Sequence, residues 1–281
     1  FVHELTHELN GTVKAVHDRL VIAEGEARNV VWADNIWMNP RFIEISSIGD
    51  AAQKLKALQR NWANYAFDFH RRSQLIAEKL PHVSAKPIVF PSPLPSAPLG
   101  SWTLLEPNLM LASPLCSSPY PNGTWNFVEN KDEPPNRAYL KLWEILMRLQ
   151  KFPKPGNLCL DLGASPGGWT WVLQKLGAKV ISVDKAELAS HIAALPNIKY
   201  LQKSAFALEP EETGEVDWVF SDIICYPKKS MQLIEKWINI RNIVSTIKFQ
   251  GETDHETVTA LLKIPGSYRS EEHTSELQSL T

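Results

Sequence analysis

The chain carries two different hydrophobic patterns, one on each side of a proline-rich middle. From Asn136 onward, short apolar runs alternate with helical segments, and the runs include Leu158-Cys159-Leu160-Asp161-Leu162 and Val180-Ile181-Ser182-Val183. A short apolar run bounded by turn residues fits a strand buried on both faces. Strict alternation with helices predicts a parallel, helix-covered sheet, with strands near 157–162, 179–183, 198–202, 216–221 and 242–248. Residues 1–80 read differently. Strand-like runs at Thr12–Ala23, Asn29–Met38 and Phe42–Ile48 mix with helices from about Asp50 to Trp62 and from about His70 to Leu80, which suggests a smaller α+β domain. Ten of the twenty prolines fall between Pro81 and Pro121, so this stretch cannot be helical throughout. It is expected to be an extended linker or covering arm over 81–130, with one strand at Trp102–Leu111. The α/β domain would then occupy 131–268.

Composition narrows the class without deciding it. A length of 281 residues suits two domains, and 44% hydrophobic residues suffice for a core. No stretch approaches the eighteen or so apolar residues of a membrane span, so no membrane partner is expected. Cys116, Cys159 and Cys225 have no paired spacing, which points to packed thiols in a reducing, cytoplasmic setting. The net charge of −2 is not that of a generic nucleic-acid binder. Any RNA contact must come from local patches, such as Arg60, His70, Arg71 and Arg72, or Lys228 and Lys229.

The chemistry is concentrated in Asp161-Leu162-Gly163-Ala164-Ser165-Pro166-Gly167-Gly168-Trp169. A buried strand, a Gly/Pro turn and a helix start leave backbone N–H groups ready for a carboxylate or phosphate. A second strand then ends in Asp184, where an acid can grip ribose hydroxyls. The G-x-G-x-x-G spacing of dinucleotide enzymes is missing. The string D-L-G-x-x-P-G-G-W resembles the S-adenosylmethionine loop of the FtsJ-like ribose 2′-O-methyltransferases. That family uses a catalytic Lys, Asp, Lys and Glu, and three of the four have matches here. Asn136–Glu144 resembles its S-R-x-x-x-K-L-x-E helix and supplies Lys141; Val219–Asp222 resembles V-x-S-D and supplies Asp222; Ile247–Gly251 resembles the K-x-F-Q-G strand end and supplies Lys248.

The resemblance implies a Rossmann-like methyltransferase fold, S-adenosyl-L-methionine as cofactor and RNA as substrate. Over 136–256 it lies nearest the bacterial group that methylates a cytidine ribose of 23S rRNA (the RlmM group), so 23S rRNA or its precursor is the expected partner. Over 1–110 it is fainter and suggests a THUMP-type RNA-binding domain. The cofactor would be held by Asp161, Gly163, Ser165, Pro166, Gly167, Gly168, Trp169, Asp184 and Asp222. Ser204 stands where many relatives place an acid that reads the adenine amino group. A ribose 2′-OH is a very weak acid, and a lysine can deprotonate it only if burial or a second cation lowers its own pKa. Lys248 is therefore assigned as the base, with Lys141 and Asp222 positioning the hydroxyl. The methyl donor carries its own leaving group, so no metal is implied.

Three features compete with this reading. Arg269–Thr281 resembles a translated sequencing adapter, a non-native tail standing where the family's closing β-hairpin and final Glu are expected; Glu271 and Glu272 are given no role. A domain so truncated could bind cofactor or RNA with impaired catalysis. The run His3-Glu4-Leu5-Thr6-His7 matches the H-E-x-x-H of zinc metallopeptidases. Asn10-Gly11 would end any helix within a turn, so a strand or loop edge is expected there instead. Cys225 lacks the Pro-Cys or Thr-Cys-Ser context of a cytosine-5 methylation nucleophile.

Overall fold

The computed structural model describes residues 2–84, 86–249 and 251–267. The tail expected at 269–281 and Gln250 of the K-x-F-Q-G run lie outside the described residues. The chain divides into two compact units, one ending at Phe127 and the other beginning at Val128.

The first unit opens with α1 (Val2–Glu8), followed by a hairpin of β1 (Val13–His17) and β2 (Leu20–Ala23). Then come β3 (Arg41–Glu44), α2 (Ile48–Leu58), β4 (Trp62–Asn64), α3 (His70–Ala77), β5 (Gly100–Glu106) and β6 (Leu109–Ser113). Four strands form a sheet in the order β3-β6-β5-β4, parallel only between β4 and β5. Ser47 caps α2 by accepting from the Asp50 N–H, and Ala51 and Leu55 of that helix pack with Ile76, Trp102, Leu104 and Met110 in the core.

Several sequence expectations are corrected here. The run 102–111 is two strands, because Pro107 removes a ladder donor and Asn108 follows it in the turn between β5 and β6. Those strands lie inside the segment expected as linker or arm, and they form the middle of the sheet. The first long helix stops at Leu58; Trp62 belongs to β4, buried, with its indole N–H donating to the Leu55 and Gln59 carbonyls. The second helix ends at Ala77 rather than Leu80. The 29–38 run holds no strand, only a single bridge from Trp37 to Cys116. The H-E-L-T-H run lies on α1 and not on a loop edge, and Glu8 at its end accepts from the Val31 N–H. Among the described residues, no group of three His, Cys, Asp or Glu side chains is placed to hold a metal ion. None of the described helices is long and apolar enough to cross a membrane.

The second unit follows the predicted alternation. Its elements are α4 (Tyr139–Leu149), β7 (Leu158–Leu162), α5 (Gly168–Lys175), β8 (Lys179–Asp184), α6 (Ser190–Ala193), β9 (Ile198–Gln202), β10 (Trp218–Ser221), α7 (Pro227–Lys236), β11 (Ile243–Ser245) and α8 (His255–Leu262). All five strands are parallel, in the order β11-β10-β7-β8-β9. Taken in the unit's own chain order, the strands run 3-2-1-4-5, which is the doubly wound Rossmann-like arrangement. The topological switch lies beside β7, so the carboxyl ends of β7, β8 and β10 frame the crevice where such sheets bind ligands. Leu160, Leu162, Val183, Val219 and Trp237 lie in the buried core.

Candidate active site

The glycine loop is built by close approaches that side chains would block. Gly163 follows β7 with φ +79°, and a Cβ there would meet Ile223 at 2.6 Å. Gly167 takes φ +118° at the start of α5, with no side chain capping that helix. A Cβ on Gly168 would run into the side-chain oxygen of Asn136. The result is a backbone surface with uncapped helix-start amides, suited to a carboxylate. Ser165 and Pro166 complete the turn, and Ser165 is fixed twice. Its N–H donates to Asp184 Oδ2 at 3.0 Å, and its hydroxyl donates to the Glu187 carbonyl at 2.9 Å. Asp184 Oδ1 also accepts from the Ala186 N–H at 2.9 Å. The end of β8 therefore holds the loop after β7, and a carboxylate's remaining lone pairs can still accept from a ligand.

Two residues of the expected cofactor set act from underneath. Trp169 is buried, donates to the Ala138 carbonyl at 2.9 Å and sets its ring edge-on to Phe220. It fastens α5 to the start of α4. Asp161 is also buried and accepts from the Thr170 hydroxyl at 2.6 Å; that hydroxyl lies 2.8 Å from the Ser182 hydroxyl. Ser204 begins a short 3-10 turn two residues past the end of β9.

Burial pushes the Asp161 carboxyl up to about 7, against the bonds from Thr170 and with the negative charges of Asp222 and Asp184 adding to the effect. The folded chain therefore keeps a proton here that the unfolded chain loses near 3.8. Stability should fall as pH rises through that window, by as much as a few kcal/mol, and the full penalty persists above it. Asp161→Asn is expected to flatten this slope and to exceed the wild type in stability above pH 7. Urea unfolding across the window checks this; an unchanged slope in the variant would mean the carboxyl is not the source.

At the carboxyl end of β10 the structure brings together two of the three predicted catalytic residues. Lys248 Nζ lies 2.9 Å from Asp222 Oδ1 and donates to the Asp222 carbonyl, also at 2.9 Å. Thr246, which the sequence reading missed, donates to the same Oδ1 at 2.6 Å. Its signal was its spacing: Thr246 and Lys248 stand two apart, the repeat that puts side chains of an extended segment on one face. Asp222 also touches the glycine loop through its neighbours, since its N–H reaches the Leu162 carbonyl and Ile223 abuts Gly163. The third residue, Lys141, stands half-buried on the first turn of α4. Asn136 and Ala138, just before that turn, are the residues that touch Gly168 and Trp169.

Residues 134–262 match the model of the FtsJ-like methyltransferase family. This segment is an FtsJ-like methyltransferase domain. The "Ribosomal RNA large subunit methyltransferase M" of Halorhodospira halophila is 33% identical over 51% of this chain and 43% of its own length. The protein of that name from Xanthomonas oryzae pv. oryzae is 29% identical over 71% of this chain and 56% of its own. The chain thus spans about half the length of the curated relatives it matches. Among solved structures, a hemolysin from Lactococcus lactis is 27% identical over 37% of this chain and 51% of that chain, with a TM-score of 0.33. The cofactor of an FtsJ-like methyltransferase domain is S-adenosyl-L-methionine, and the residues present fit it. Uncapped amides at the start of α5 suit its carboxylate, while Asp184 and Asp222 give the crevice a negative field suited to its cationic groups.

Proposed function

We propose that this chain is the catalytic part of an S-adenosylmethionine-dependent ribose 2′-O-methyltransferase acting on large-subunit ribosomal RNA. The observation that carries the reading is the Lys248–Asp222–Thr246 cluster, placed against the glycine loop through Ile223. When bound, the cofactor supplies an electrophilic methyl group whose leaving group is a neutral thioether. This chain's residues must then orient one hydroxyl and take its proton.

Lys248 is the group assigned to that proton. An ammonium has three donors, and two directions from Nζ go to Asp222, which fixes where the nitrogen points. Taking up the hydroxyl proton requires the amine to be neutral as the hydroxyl attacks. Lys141, carried by α4 beside the start of α5, is assigned the positioning of the hydroxyl. Thr246 holds the Asp222 carboxylate in register while the proton moves. Glycine-loop backbone from Gly163 to Gly168, with Ser165 and Asp184, would hold the cofactor, and Ser204 is assigned to its adenine. The names of the curated relatives favour a large-subunit rRNA substrate. The α+β first unit is assigned to RNA binding.

Calorimetric titration with S-adenosylmethionine tests the cofactor half. Asp184→Ala removes the acceptor of both the Ser165 and Ala186 amides, and is expected to weaken binding at least about tenfold. Equal binding by the folded variant would refute the assigned role of Asp184. Methylation of RNA, located by ribose-specific resistance to alkaline hydrolysis at the modified position, tests the rest; a methyl group found on a base would overturn the 2′-O assignment.

A further inference from the structure

The loop after Asp222 exposes two large apolar side chains beside the reacting group. Ile224 is 71% exposed and Tyr226 64%, whereas Cys225 between them is buried with its Sγ 3.1 Å from the Ser230 hydroxyl. Pro227 is buried as the first residue of α7. The backbone is extended at Tyr226, with φ −63° and ψ 145°. The loop is thus pinned at 225 and 227, so that 224 and 226 project outward. It is pinned again at its start, where Ile223 lies against Gly163. Exposed tyrosine and isoleucine held by a buried anchor on each side form a built platform, whereas a slack loop would leave the same side chains unplaced.

We infer that Tyr226, with Ile224 beside it, stacks an unpaired base of the RNA strand whose ribose is presented to Asp222 and Lys248. This rests on the reading of the site as an RNA methyltransferase centre. Sequence-specific RNA contacts are made largely to unstacked bases laid on aromatic side chains. Tyr226 lies four positions after Asp222, which keeps the two backbones within about 14 Å even fully extended. Phosphates of the same strand have cations nearby: Lys228 and Lys229, both exposed, follow within three residues. The Asp254 carboxyl at the start of α8 is held below its usual value chiefly by its bonds from Thr257, with Lys228 adding to the effect. A protein partner fits less well, because two side chains fall short of the few hundred Å² that mark a docking patch.

The test compares two RNAs by fluorescence anisotropy at low salt. One is a labelled single-stranded oligoribonucleotide of mixed sequence, and the other is its abasic counterpart, which keeps riboses and phosphates. Tyr226→Ala is expected to weaken the base-bearing RNA about tenfold and to leave the abasic one unchanged. Tyr226→Phe keeps the ring and should bind as the wild type does. The double variant Lys228→Glu, Lys229→Glu should weaken both RNAs and reduce the salt dependence. S-adenosylmethionine binding, unchanged in Tyr226→Ala, shows that the fold is intact. The inference is overturned if Tyr226→Ala binds both RNAs as the wild type does, if it weakens both equally, or if the wild type does not prefer bases. Wild-type chain that binds cofactor but neither RNA also overturns it, while the cofactor assignment stands. Methyl transfer that is lost in Lys248→Ala but normal in Tyr226→Ala removes this inference alone.

Discussion

Lys248→Ala is expected to lower the rate of methyl transfer to RNA about 10²–10⁴-fold while changing S-adenosylmethionine affinity by no more than about twofold. The separation follows from where the side chain points. Nζ contacts Asp222 through Oδ1 and the carbonyl, whereas the loop assigned to the cofactor is held by Asp184, Glu187 and Trp169. Removing the amine leaves Asp222 still anchored by Thr246 at 2.6 Å, so the pocket should keep its shape. Lys248→Arg should not rescue, because a guanidinium holds its proton at any working pH and cannot accept one. Single-turnover methylation with the chain in excess over RNA reads the chemical step, and calorimetry reads the cofactor. A rate within about tenfold of wild type would mean that the proton leaves by another route. Equal loss of rate and cofactor affinity would instead make Lys248 a residue that shapes the pocket.

How much of this was legible beforehand depended on burial. The central strands β7 and β10 are buried, so each reads as a mostly apolar run, whereas the edge strand β9 alternates and still coincides with the predicted 198–202. Glycine-loop geometry was legible through close approach: Gly163 and Gly168 face Ile223 and Asn136 too closely for any other residue. The first unit was harder because its sheet draws on distant segments. β4 has three residues and pairs with β5 across the first part of the proline-rich stretch, a contact no local pattern announces. Hydrophobicity also misled at 29–38, where Trp32 and Trp37 are partly buried but the backbone is not paired into a strand. Within the site, motif spacing located Asp222 and Lys248, yet it could not tell which motif side chains face a ligand. Trp169 and Asp161 belong to the packing beneath the loop, and a motif string carries no record of the direction in which a side chain turns.

Glu144 makes the same point at larger energetic scale, and it gives the second strong expectation. It closes the S-R-x-x-x-K-L-x-E-like run three residues after Lys141, and its side chain lies in a buried ion pair. Its carboxylate is 4% exposed and Oε1 accepts from Arg148 Nε at 2.8 Å, with the guanidinium's second nitrogen 2.7 Å away; Arg148 is itself 11% exposed. A buried pair of this kind gains little net stability when made, because both charges lose water. Breaking it from one side is costly, since the remaining charge stays buried. Glu144→Ala should therefore destabilise the chain by about 3–5 kcal/mol and lower its melting temperature on the order of 10 °C. Replacing both partners with apolar residues of similar volume, Glu144→Leu with Arg148→Met, should recover most of that loss. Thermal and urea unfolding of the two variants decide the matter. A single-variant cost below about 1 kcal/mol would show that Arg148 finds water or another acceptor when its carboxylate is removed. Because α4 carries Lys141, the single variant should also lose methyl transfer beyond its loss of folded protein, and the apolar pair should restore it. That restoration separates a helix-holding role from a catalytic one: a carboxylate needed in the chemistry could not be replaced by leucine.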